Sequence, residues 1–235
     1  MEDILAKTRA LLTQMGDDEV KKSSEHFFKE PVQFYGIRSA DVHRLSKELF
    51  KEIKDRSREN IYALCTELWK SGIMEESIIA CNWSLSVKKS FQPDDIKIFE
   101  GWINNYVSNW ASCDTLCNHT VGEFVMKYPM ALDNLKKWTG SSNRWMKRAS
   151  AVSLIIPARN GLFLEDILMI AERLLHDKDD MVQKGYGWML KAASESNLKE
   201  VFEFVMKNKD TMPRTSLRYA IEKMPKDMKA KAMKK

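Results

Sequence analysis

The longest apolar stretches of this 235-residue chain are far too short to cross a bilayer. The N-terminus, Met1-Glu2-Asp3, opens on acids and carries no long apolar run, so no secretory leader and no membrane association are expected. Four cysteines, Cys65, Cys81, Cys113 and Cys117, lie scattered in helical patterns. In a chain of this length they read as reduced, buried thiols of a cytoplasmic protein. Convincing two-residue alternation is lacking, which argues against strands, and there is no low-complexity segment or flexible linker. A glycine-rich phosphate loop, a Ser/His/Asp ordering and an HExxH helix are all missing. Cys113, Cys117 and His119 stand close together, but their spacing fits no standard zinc signature and a fourth ligand is lacking. The expectation is a chain with no metal and no cofactor.

Hydrophobic residues make up 44 % and charged residues 30 %, ordinary values for a globular protein able to bury a substantial core. The net charge is +5 and the pI about 8.9. This mild basicity is compatible with a polyanionic partner without requiring one. Helical spacing recurs along the whole chain, predicting helices over 3–15, 17–29, 39–54, 58–70, 75–89, 93–107, 111–127, 129–138, 142–155, 163–176, 180–194, 197–208 and 213–223. Pro31 ends the second, and Phe34-Tyr35-Gly36-Ile37 forms an aromatic turn. Ser39 reads as an N-cap, and Pro93-Asp94-Asp95 as a helix start in which proline fits the first turn and acids complement the dipole. The connections are short and polar. The basic tail, residues 226–235, is expected to fray.

A loose internal repeat runs through these helices. Ala80, Ala149 and Gly185 each stand five places before a leucine, and those leucines (Leu85, Leu154, Leu190) are 69 and 36 positions apart. The spacing corresponds to one or two periods of roughly 35 residues, the length of a helix pair. A small residue lets two helices approach closely, and such units bury their apolar faces only by stacking. The fold class expected is therefore all-α: a HEAT-like superhelix (an α-α solenoid), one domain over 1–235, with a concave face. An irregular helical bundle is the competing architecture.

Two stretches carry chemistry-bearing residues: Asn109-Trp110-Ala111-Ser112-Cys113-Asp114 and Asn143-Arg144-Trp145-Met146-Lys147-Arg148. Trp110 and Asp114 are four apart, which stacks an indole and a carboxylate on one helix face. Arg148 ends a run with the polarity of an exposed helix face, and Gly185-Tyr186-Gly187-Trp188 supplies a further indole. Taken singly, each has a bland reading: a tryptophan on a helix is usually core, and an acid or arginine is usually solvated or ion-paired. Trp69, Trp83, Trp102, Trp138 and Trp145 are assigned to packing.

Taken together, Phe34-Tyr35-Gly36-Ile37, Trp110-x-x-x-Asp114, Trp145-x-x-Arg148-Ala149 and Gln183-Lys184-x-x-Gly187-Trp188 resemble, in order and spacing over roughly residues 20–195, the AlkD family of DNA alkylation-repair glycosylases. The resemblance implies HEAT-like repeats and excision of positively charged N3- or N7-alkylated purines from double-stranded DNA, without a metal. It implies that Asp114 is the catalytic aspartate, that Trp110 and Trp188 face the lesion, and that Arg148 holds the DNA backbone. An aromatic residue of the second helix corresponds to Phe27, where the family has tyrosine, and Asn109 stands where the family can carry tryptophan. Lys147, Arg144, Arg159 and Lys184 crowd the same repeat units and are the further candidates for phosphate contact. A monomer is expected. Two other classes remain open at this point: a non-catalytic DNA-binding relative that senses damaged or branched DNA, and a protein–protein scaffold.

Overall fold

The computed structural model describes residues 2–234, with the backbone alone at Glu2. Among these residues every regular element is helical, and the sole extended pairing is an isolated parallel bridge between Gln33 and Ile73. No described helix is long and apolar enough to cross a membrane. The helices gather into two compact units, Met1–Leu116 and Cys117–Lys235.

The first unit comprises α1 (Glu2–Met15), α2 (Asp18–Glu25), α3 (Ser39–Glu52), α4 (Arg58–Trp69), α5 (Met74–Ser86), α6 (Asp95–Asn105) and α7 (Trp110–Thr115). Its core forms where α4 and α5 pack together, on Ile61, Leu64, Cys65, Leu68, Trp69, Ile79 and Trp83, all at most 1 % exposed. Ala80 is fully buried there, and Cys65 donates its thiol hydrogen to the Ala80 carbonyl at 3.3 Å, so the small residue does permit close approach. The indole N–H of Trp83 donates to the Ser46 carbonyl at 3.0 Å and ties α5 to α3. The acidic start of α6 falls where expected, with Asp95 in its first turn. Asp95 is also buried, accepting from the Gln92 N–H, the Tyr62 hydroxyl and Arg58.

The second unit comprises α8 (Gly122–Lys127), α9 (Leu132–Trp138), α10 (Arg144–Val152), α11 (Ile155–Arg159), α12 (Leu164–Leu174), α13 (Asp180–Ala193), α14 (Leu198–Asn208), α15 (Arg214–Ala220) and α16 (Lys226–Met233). Successive helices pair, and α13 is central, packing on α10, α12 and α15 through Val182, Tyr186, Met189 and Leu190, which are fully buried. Both glycines of α13 lie at crossings. A Cβ on Gly185 would stand 3.2 Å from Arg148 Cγ, and one on Gly187 would stand 2.8 Å from Tyr219 Cβ and 3.0 Å from the Ser216 carbonyl oxygen. The repeated small residue is thus the place where helices touch, the all-α helical-repeat arrangement that the spacing implied.

Some boundaries moved. The expected 111–127 helix is interrupted by a π-helical stretch, Leu116–Val121. The expected 142–155 helix stops at Val152, and α11 starts afresh with Pro157 in its first turn, where a missing N–H costs nothing. Within the basic tail, Lys226–Met233 form α16: Pro225 fixes its entry, Asp227 complements its dipole, and Ala232 is buried at 1 % exposure. The four cysteines are buried and make no disulfide among the described residues, and the five tryptophans assigned to packing are all buried.

Candidate functional site

In the first unit the aromatic turn is a strap fastened across the start of α5. Glu75 is 1 % exposed, and its carboxylate accepts three consecutive backbone N–H groups: Tyr35 at 3.0 Å, Gly36 at 2.9 Å and Ile37 at 3.0 Å. Three donors satisfy a buried charge that would otherwise be prohibitively costly. Its neighbour Glu76 takes the Tyr35 hydroxyl at 2.9 Å and the Arg9 guanidinium at 3.1 Å. Gly36 has φ 95°, and a Cβ there would lie 2.1 Å from the Asp17 carbonyl oxygen. The turn therefore requires glycine on both conformational and steric grounds. Burial and the Glu76 hydrogen bond push the Tyr35 hydroxyl pKa up to about 12.

The strap delivers Phe34 to one wall of a cleft of about 460 Å³. Phe34 meets Phe28 at 5.6 Å between ring centroids, and Phe28 stacks on Trp110 at 5.4 Å with an interplanar angle of 19°. Phe27, Ile37, Arg38, His43, Met74 and Ile78 complete much of the lining. Trp110 is the first residue of α7, placed there by Asn109. That side chain is buried and accepts the Ser112 N–H at 2.9 Å, an N-cap bond. Asp114 follows one turn later on the same face, and both residues are half-buried. Asn109 thus acts as a structural cap at the edge of the site.

Phe27 lines the cleft, but from outside the second helix. The second helix ends at Glu25, so Phe27 lies in the turn beyond it and is 73 % exposed. The ring that stacks on Trp110 belongs to its neighbour, Phe28. The run Arg144–Arg148 also differs from the exposed face expected of it. Trp145, Met146 and Arg148 are buried, and the Arg148 guanidinium lies over Gly185 and donates to the Met181 carbonyl. Arg144 sits over the Trp145 ring at 5.1 Å and donates to Asp179 at 3.0 Å, while Lys147 pairs with Asp177 at 2.5 Å. These two cations latch α10 to the loop that opens α13. Lys184 pairs with Asp180 at 3.3 Å, and the exposed Arg159 pairs with Glu195 at 3.5 Å. Trp188 is half-buried, and its spacing from Met181 and Gly185 puts it on the stripe of α13 over which Arg148 lies.

A family model described as "DNA alkylation repair enzyme" matches residues 8–224. The chain belongs to this DNA alkylation repair family. A search of the curated proteins returns no significant match. Among solved structures, the fold resembles that of a protein from Enterococcus faecalis titled a predicted DNA alkylation repair enzyme, with a TM-score of 0.79 and 18 % identity over 90 % of this chain and 98 % of that one. At that identity the likeness speaks for the fold.

Within this DNA alkylation repair family member, sequence reasoning missed Phe28 and Glu75. Phe28 was passed over because the resemblance pointed to its neighbour, Phe27. Glu75 carried a usable signal. Glu75-Glu76 interrupts the apolar run from Ile73 to Ile79, and two acids inside a helix that is buried nearly all round must have partners.

Proposed function

We propose that this protein is a DNA glycosylase that removes positively charged N3- or N7-alkylated purines by hydrolysis of the N-glycosidic bond. The observation that carries this reading is Trp110 stacked on Phe28 along a cleft, with the Asp114 carboxylate one helical turn away on the same face. Membership of a DNA alkylation repair family supports it.

The chemistry asks little of the protein. An N3- or N7-alkylated purine already carries a positive charge, so it departs as a neutral base and needs no general acid. The sugar is left as an oxocarbenium-like cation. A fixed carboxylate stabilises that cation and orients or deprotonates the attacking water. Asp114 has this role. Indole faces attract the cationic base, with about 0.5–2 kcal/mol each depending on desolvation, and Trp110 and Trp188 have this role. Neutral lesions such as uracil leave as poor anions and are disfavoured, because no acid is assigned to protonate them.

Both units are proposed to contribute to DNA binding, with the chain active as a monomer. Arg148, Lys147, Arg159 and Lys184 are its phosphate contacts in the second unit. Arg159 is the most accessible of them and Arg148 is buried; Arg159, Lys147 and Lys184 must each exchange an ion pair for a phosphate. The test is release of 7-methylguanine or 3-methyladenine from methylated DNA by the purified chain. No release by wild-type protein that binds DNA overturns the reading.

A further inference from the structure

We infer that Arg38 anchors a backbone phosphate of the DNA strand whose base lies against the Phe28–Trp110 wall. The inference rests on DNA as the partner and assigns a phosphate contact to the first unit, where none has been named.

Five arginines lie in residues 1–116, and their guanidinium groups divide sharply. Arg9 is held by Glu76, Arg44 by Asp41 at 2.6 Å, Arg58 by Asp95 at 2.9 Å, and Arg56 by the carbonyls of Ile53 and Lys51. Arg38 is exposed, and its guanidinium makes no hydrogen bond or ion pair among the described residues. It lines the aromatic cleft and also an adjoining one of about 390 Å³ that includes Gly36 and Arg44. The group therefore stands at the rim where the two meet.

Its backbone is fixed on both sides. The Ile37 N–H is bound by Glu75, and the Arg38 carbonyl accepts from Asp41 at 2.9 Å and Val42 at 3.2 Å. A cation on a rigid strap beside a stacking wall matches the two ends of a nucleotide, with the base on aromatic faces and the phosphate on a forked donor. A cleft of about 460 Å³ falls within the ~300–1,000 Å³ of small-ligand sites.

The experiment is equilibrium binding of a duplex carrying one 7-methylguanine, measured across a salt series, with wild type, Arg38→Ala and Arg38→Lys. Loss of one phosphate contact should reduce the magnitude of the log–log slope by about 0.9. Between ~50 and ~200 mM salt, wild type should then lose about 3.5-fold more affinity than Arg38→Ala. Arg38→Lys keeps the charge and should retain the wild-type slope. Because Arg38 is exposed, thermal unfolding of the alanine variant should match wild type. An Arg38→Ala slope equal to wild type overturns the assignment, as does absence of duplex binding by wild type. The readout does not depend on base release. Binding without excision would refute the glycosylase reading and leave Arg38 standing, and excision with an unaltered Arg38→Ala slope would do the reverse.

Discussion

Replacing Glu75 by glutamine tests how the cleft is built. The carboxylate is 1 % exposed and accepts the N–H groups of Gly36 and Ile37 on Oε1 and that of Tyr35 on Oε2. Glutamine keeps one oxygen, able to serve two of these donors, but turns the other into an amide nitrogen that faces the third donor to donor. An orphaned buried N–H costs about 1–3 kcal/mol, and bonds to a charged acceptor, worth about 1.5–3 kcal/mol, fall to roughly 1 kcal/mol when the charge is removed. The strap should therefore open about 3 kcal/mol more easily. Each 1.4 kcal/mol is about a factor of ten, so amide hydrogens of residues 35–37 should exchange roughly a hundredfold faster. Hydrogen exchange on a peptide covering the strap reads this directly. Glu76→Gln is the control: Glu76 holds the Tyr35 hydroxyl and Arg9 but none of the strap's amides, so protection there should persist. Unchanged exchange in Glu75→Gln would refute the view that this carboxylate fastens the turn. Where the prediction holds, DNA affinity should fall too, because Phe34 loses its footing against Phe28.

Gly187→Ala should destabilise the second unit by about 1–3 kcal/mol, since its Cβ meets the Ser216 carbonyl and Tyr219 Cβ rather than a yielding side-chain tip. Gly185→Ala meets the flexible Arg148 stem and should cost less; equal unfolding midpoints for the two variants would contradict this. Tyr35 should make stability fall at high pH. Its folded pKa, raised to about 12 from an ordinary 10.0, lets the unfolded chain lose the proton first, so its contribution is complete below pH 10 and is lost as pH rises towards 12. Tyr35→Phe should flatten unfolding free energy over that window, and an unaltered pH profile would sink the assignment.

The fold was legible because its determinants are local and periodic. The helical spacing, the short polar connections and the small residue repeated before each leucine reappear as paired helices touching at Ala80 and Gly185. The breaks were harder to see. Pro157 was visible, but a helix that ends and restarts within two residues has almost the same pattern as a continuous one. The helix at 226–233 was not foreseen because the basic composition drew attention away from Ala232, which is buried. At the site, Trp110 and Asp114 were placed on one face by spacing alone. The partners that shape the cleft are long-range. Glu75 binds residues 38–40 positions away, and Phe28 reaches Trp110 across most of the unit. Arg144 and Lys147 carried the charge of a DNA-binding pair, yet their acids lie 30–36 positions ahead in the Asp177–Asp180 loop, a separation that helical periodicity does not span.

The most direct measurement is single-turnover release of 7-methylguanine from a defined duplex by wild type and Asp114→Asn. Asparagine preserves shape and dipole but removes the charge, so DNA affinity should change little. Losing one preorganised electrostatic group typically costs ~10²–10³ in rate, about 2.7–4 kcal/mol of barrier, and the variant should be slower by that factor. Equal rates in the two proteins would contradict a mechanism in which the Asp114 carboxylate stabilises a cationic sugar.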